Sequence, residues 1–161
     1  MADDRPLFIV SGGQTGVDRG ALDAALDAQS PCGGWCPAGR KAEDGPISER
    51  YPLKELAGGG YYQRTRQNVT DSDGTLVITF GEATGGTART IGVCRRLVKP
   101  HLVVDAAQTP ASISAQAAFQ FIEVHGIRRL NVAGPRASGA ARGYGYAHEL
   151  ITLLLRRRSA G

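Results

Sequence analysis

The chain is poor in thiols and in aromatic rings. Its three cysteines, Cys32, Cys36 and Cys94, cannot all pair within 161 residues, and they read as reduced, buried thiols of a reducing compartment. Cys32 and Cys36 are spaced as half a zinc site, but no second pair stands at matching distance. His101, His125 and His148 are far apart, so no protein-ligated metal is expected. An aromatic fraction of 6% and a net charge of only +4 argue against single-stranded nucleic-acid binding, which needs stacking platforms along a basic groove. No apolar run approaches the length of a membrane span; stretches such as Leu153-Leu154-Leu155 are short. The acidic start, Met1-Ala2-Asp3-Asp4, meets the first strand almost at once and leaves no room for a signal peptide. A cytoplasmic protein without membrane contact is therefore expected.

Glycine, by contrast, is abundant, with 22 residues and neither collagen periodicity nor low complexity. That calls for tight turns and close backbone approaches. Short β-type runs alternate with helical patterns. Leu7-Phe8-Ile9-Val10 reads as a strand, followed by a glycine turn and a helix over about 17–28 that buries Ala21, Leu22, Ala25 and Leu26 on one face. A weaker strand is expected over 31–35. The segment from about 37 to 72 is irregular, with one short helix near 64–69, and so long an insert suggests a functional loop or lid. Strands follow at 75–80, 101–105 and 130–133, each leading into a helix, at 86–97, 110–124 and 144–157. Ser112 or Thr109 is suited to cap the middle one. The pattern predicts one α/β domain over 1–161, doubly wound and Rossmann-like, with a mostly parallel sheet of about five or more strands and helices on both faces.

Two strand-to-helix junctions carry the chemistry. Gly12, Gly13, Gln14, Thr15 and Gly16 lead into Asp18 and Arg19; Gly81, Thr84, Gly85, Gly86 and Thr87 open the later helix. A strand's carboxyl end, a glycine turn and a helix N-terminus together form an anion site, because free N–H groups and the helix dipole face the ligand. If the strands at 7–10 and 75–80 are neighbours, both loops flank the crevice where strand order reverses. Neither loop matches a known nucleotide fingerprint. The first is not G-x-G-x-x-G, and the second has Gly86 where a Walker A loop has Lys, so a dehydrogenase and a P-loop ATPase are excluded. Arg40, Lys41, Arg64, Asn68, Ser72, Asp73 and Arg136 are further binding candidates, with arginine suited to forked contacts on phosphate oxygens. Asp18, Asp44 and Asp73 are the candidate catalytic carboxylates.

Ser11-Gly12-Gly13-Gln14-Thr15-Gly16-Val17-Asp18-Arg19-Gly20-Ala21 resembles the opening motif of the molybdenum carrier family. So do Gly39-Arg40-Lys41-Ala42-Glu43-Asp44-Gly45, Asp71-Ser72-Asp73-Gly74-Thr75, Thr84-Gly85-Gly86-Thr87 and Leu130-Asn131-Val132-Ala133-Gly134-Pro135-Arg136. The blocks follow the family's order over nearly the whole chain. That family is grouped in the Rossmann-like SLOG superfamily with LOG-type nucleotide phosphoribohydrolases and DprA-like DNA-binding proteins. The resemblance implies a phosphorylated pterin (molybdenum cofactor, molybdopterin) or a nucleotide-like ligand on the glycine loops. It also implies a homo-oligomer, dimer or tetramer, and molybdoenzymes as recipients of the cofactor. One departure matters: LOG-type hydrolases carry G-G-x-G-T-x-x-E, whereas residues 87–97 here contain no acid. Cleaving an N-glycosidic bond calls for a carboxylate near the sugar, so holding a ligand is favoured over hydrolysing one.

Overall fold

The computed structural model describes residues 5–160; the acidic start at Met1–Asp4 lies outside them. The strand at the N-terminus, β1, is Phe8–Val10, and the helix that follows, α1, is Val17–Asp27. Next come β2 (Cys32–Gly33), β3 (Trp35–Pro37), a 3-10 turn (Ala38–Arg40), the hairpin β4–β5 (Lys41–Ala42 and Gly45–Pro46) and β6 (Lys54–Leu56). The later half holds α2 (Tyr61–Thr70), β7 (Gly74–Thr79), α3 (Gly85–Arg96), β8 (His101–Asp105), α4 (Ala111–His125), β9 (Arg129–Ala133) and α5 (Gly143–Ala160).

Five strands form the central sheet in the order β2-β1-β9-β7-β8, every pairing parallel. Numbered from β7, and joining the chain ends in thought, this is 2-1-3-4-5. The chain is thus a circular permutation of a common doubly wound sheet whose ligand crevice lies between strands 1 and 3. Here those strands are β7 and β9. The expectation that β1 and β7 are neighbours is corrected, because β9 lies between them, paired with both. Sequence order hides this: α4 carries the chain from the edge strand β8 back over β7 into the middle of the sheet.

Parallel strands covered on both faces read as continuous apolar runs, and all six residues of β7 are buried. Leu76 and Ile78 enter the main core with Ile9, Leu130 and Val132, beneath α1, α4 and α5. On the opposite face Val69 of α2 packs with Val93 and Cys94 of α3. The strand expected over 31–35 is split by Gly34 (φ 135), whose place against the Ser11 carbonyl leaves no room for a side chain. Its second half, β3, pairs with β6 instead. The segment 37–72 is built rather than irregular, around a small core of Leu22, Cys36, Ile47, Tyr51 and Leu53. The expected side-chain cap on α4 is absent, since the helix starts behind Pro110. Among the described residues no helix is long and apolar enough to cross a membrane.

Candidate functional site

Beyond the carboxyl ends of β7 and β9 lies a cleft of about 500 Å³, in the size range of small-molecule sites. Its floor includes the buried side chains of Thr79, Thr87, Thr90 and Asn131. Asn131 donates to Thr75 Oγ1 at 3.3 Å. One part of its wall is the turn into α3, with Glu82, Thr84, Gly85 and Gly86; another is α2, with Tyr61, Tyr62, Arg64 and Thr65. The loop after β9, through Arg136 and Gly139, Gly12 and Gln14 from the loop after β1, and Asp18 from the first turn of α1 complete it.

The two glycine loops differ in what surrounds them. Around Gly81, Gly85 and Gly86 an added Cβ would meet nothing within 4 Å. α3 has no side-chain cap and no acid in its first turn, so its leading N–H groups and dipole face open space. The loop after β1 is packed shut. A Cβ on Gly13 would lie 2.4 Å from Leu53 Cδ1, and one on Gly16 2.6 Å from the Pro135 carbonyl oxygen. Val17 N–H already donates to that carbonyl, at 3.3 Å. These glycines serve close packing, and of the loop only Gly12 and Gln14 line the cleft, with Asp18 from the first turn of α1.

Among the remaining candidates, several hold the loops in place. Arg40 donates to the carbonyls of Ile47 (3.0 Å), Ser48 (2.8 Å), Tyr51 (3.1 Å) and Leu53 (3.1 Å), so its guanidinium is the polar centre of the insert. Arg19 grips Asp44, Nη2 to Oδ1 at 2.8 Å, and donates from Nε to the Gly13 carbonyl at 3.1 Å. This guanidinium holds the Asp44 carboxyl below its ordinary value. Thr15 accepts the Ala137 N–H at 3.0 Å and donates to Glu43. Lys41 is exposed on the hairpin. None of these five lines the cleft.

Ser72 and Asp73 precede β7, at the amino-terminal end of that strand, and neither lines the cleft. Ser72 Oγ donates to the Asn68 carbonyl at 2.6 Å. Asp73 accepts the N–H groups of both Arg128 and Arg129, each at 2.9 Å. Asn68 borders the cleft, but its amide is spent on the backbone of Trp35, at 2.8 and 2.9 Å.

Asp18 and Arg64 form the one buried ion pair at the cleft among the described residues, Oδ2 to Nη1 at 3.2 Å with side-chain exposures of 9% and 11%. Burial pushes the Asp18 carboxyl above its ordinary value, against the opposing pull of the Arg64 charge and the Gln14 N–H. Gln14 Oε1 accepts the N–H groups of Thr15 and Glu43, at 3.0 and 2.9 Å.

The sequence reading passed over Glu43, whose carboxylate accepts from Ser138 Oγ at 2.6 Å and Ser138 N–H at 3.1 Å and lies 3.6 Å from Arg136 Nε. It clasps the hairpin to the loops after β1 and β9. Tyr61 and Tyr62, exposed at 43% and 39%, and Arg89, Glu82 and Asn131 were missed as well. An adjacent tyrosine pair in so aromatic-poor a chain was a usable signal; a lone Asn in an apolar strand was another. Among the described residues no group of three or more His, Cys, Asp or Glu could hold a metal ion. Burial raises all three thiols above their ordinary range.

Sheet order and cleft define a Rossmann-like α/β protein, circularly permuted, with a polar crevice at its switch point. The profile of the circularly permutated YpsA SLOG family matches residues 9–155, and the chain belongs to that family. A crystal structure of the "Putative molybdenum carrier protein" from Syntrophus aciditrophicus SB is similar over 94% of this chain and 97% of its own, with 40% identity and a TM-score of 0.90. The family likeness read from the sequence motifs is therefore borne out, as is the fold class. No curated protein matches the chain.

Proposed function

We propose that this protein holds a phosphorylated heteroaromatic ligand, molybdenum cofactor or a nucleotide-like relative, in the cleft between β7 and β9, as a carrier. The observation that carries the reading is the open, uncapped, glycine-bearing start of α3, in a cleft that arginines and a tyrosine pair also line. A phosphate at that helix start would meet N–H donors and a favourable dipole, and Tyr61 and Tyr62 offer flat surfaces to a ring. Arg64, Arg89 and Arg136 supply positive charge. The name of the protein in the similar crystal structure, a molybdenum carrier, supports molybdenum cofactor as cargo. Molybdenum would travel on the dithiolene of its own pterin, so the protein need supply no thiolate. Assembly into a homo-oligomer and delivery to molybdoenzymes belong to the same proposal.

Carriage is favoured over cleavage because each carboxylate once considered for catalysis is engaged: Asp18 by Arg64 and Gln14, Asp44 by Arg19, Asp73 by two backbone amides at the amino-terminal end of β7. A phosphoribohydrolase reading rests on Glu82, the one other acid in the cleft wall among the described residues. Release of free base from nucleoside monophosphates, abolished in Glu82→Gln, would establish it. The carrier reading is tested by titrating molybdopterin and a panel of nucleoside monophosphates into the purified protein. It requires saturable binding and intact ligand at the end; binding to none of them refutes it.

A further inference from the structure

Arg64 lies in an unusual place for an arginine at a cleft wall. Its Nη1 sits only 1.4 Å from where a Cβ on Gly12 would be, so the guanidinium lies directly on the loop after β1 and could not if residue 12 carried a side chain. Asp18 fixes its direction, with Nη1 to Oδ2 at 3.2 Å, and the Tyr61 ring stands 5.8 Å from Cζ. The protein nevertheless leaves this group short of partners: Asp18 is its one hydrogen-bond acceptor among the described residues, and Nε is buried with none. A buried cationic donor without an acceptor is costly, and the residue that carries it lines a cleft open to ligand.

We propose that Arg64 selects the charged end of the ligand, and that Asp18 and Gly12 are positioning residues for it. The inference rests on the proposed reading of the cleft and deepens it. A phosphoryl oxygen entering from the cleft completes the hydrogen bonding of the guanidinium after a small re-seating of the side chain, while Asp18 keeps Nη1 in place. A neutral hydroxyl offers a weaker acceptor and no charge. The site thus discriminates for phosphorylated over dephosphorylated ligands, and Asp18, occupied by Arg64 and Gln14, does no proton chemistry.

The test measures two ratios of dissociation constants in wild type and variants: adenosine against AMP, and dephosphorylated against phosphorylated oxidised pterin of molybdopterin. Arg64→Gln is expected to shrink the preference for phosphate by about tenfold to a hundredfold, the effect of one charge-assisted hydrogen bond. Arg64→Lys restores part of it, and Asp18→Asn erodes it by less than Arg64→Gln. Gly12→Ala, which expels the guanidinium, loses the preference as Arg64→Gln does. Its melting temperature falls with Arg64 present but not in Gly12→Ala/Arg64→Ala, where the collision is gone; a plain folding defect would be the same in both backgrounds. If wild type prefers the phosphorylated probes and folded Arg64→Gln or Arg64→Lys retains the full ratio, the selecting role is overturned and the reading of the cleft stands. If wild type binds neither phosphorylated probe, the reading of the cleft falls, and this role with it.

Discussion

Replacing Arg40 by methionine separates bracing from binding. The substitution keeps the aliphatic stem and removes the donors that join the carbonyls of Ile47, Ser48, Tyr51 and Leu53. Three of those residues belong to the small core of the insert, so the loss reaches beyond the hydrogen bonds themselves. At about 1 kcal/mol net for each partly exposed bond, the variant loses about 3–4 kcal/mol. For a chain of this size a loss of that order lowers the melting temperature by roughly 6–16 °C. Thermal unfolding followed by circular dichroism reads the global effect. Hydrogen exchange locates it, with residues 47–53 losing protection while β7 and β9 keep theirs. An Arg40→Met protein that melts within about 2 °C of wild type yet loses AMP or molybdopterin binding would refute the reasoning, because Arg40 would then touch ligand.

Asp73→Ala, which frees the N–H groups of Arg128 and Arg129, is expected to cost about 1–3 kcal/mol in denaturant titrations and to leave ligand affinity unchanged. Gly86→Ala gains about 0.5–1 kcal/mol of helix propensity, since nothing obstructs its Cβ, yet weakens ligand binding by narrowing the approach to α3; equal affinity by calorimetry would count against the site. Gly16→Ala meets the Pro135 carbonyl at φ 81 and costs about 1–3 kcal/mol of strain, read as a lowered unfolding midpoint. Acid should undock the insert. Ser138 and Thr15 hold Glu43, and Arg19 holds Asp44, below their ordinary values of 4.5 and 3.8. A carboxylate depressed in the folded state stabilises it fully above those values, and that stability is lost as pH falls through the folded pKa. Exchange protection in the β4–β5 hairpin should therefore drop below about pH 4.5 in wild type and be low already at neutral pH in Glu43→Gln.

What was legible in the sequence followed from local pattern. The run Thr75-Leu76-Val77-Ile78-Thr79 marked β7 because a strand buried on both faces is apolar throughout, and β8 was bounded as observed because Lys99-Pro100 ends the element before it. Strand order was not legible, since nothing local in Leu130-Asn131-Val132 says that it lies between β1 and β7. The insert was invisible as structure because its strands are two or three residues long and its organiser, Arg40, acts on carbonyls that every residue has. The glycines show the sharper limit. A glycine that admits a ligand and one that admits a neighbouring backbone look alike in sequence, and only the surroundings of Gly16 and Gly86 tell them apart. Asp73 misled for a related reason: an acid beside a glycine at a strand start suits a site and a turn equally.

The central claim is that the start of α3 receives the phosphate of a bound ligand. Amide chemical shifts followed during titration with AMP and with molybdopterin test it directly. Saturable shifts at Gly85, Gly86 and Thr87, together with Arg64 Nε, are predicted for at least one of the two. Shifts confined to residues 12–16, or none with either ligand, would contradict the claim.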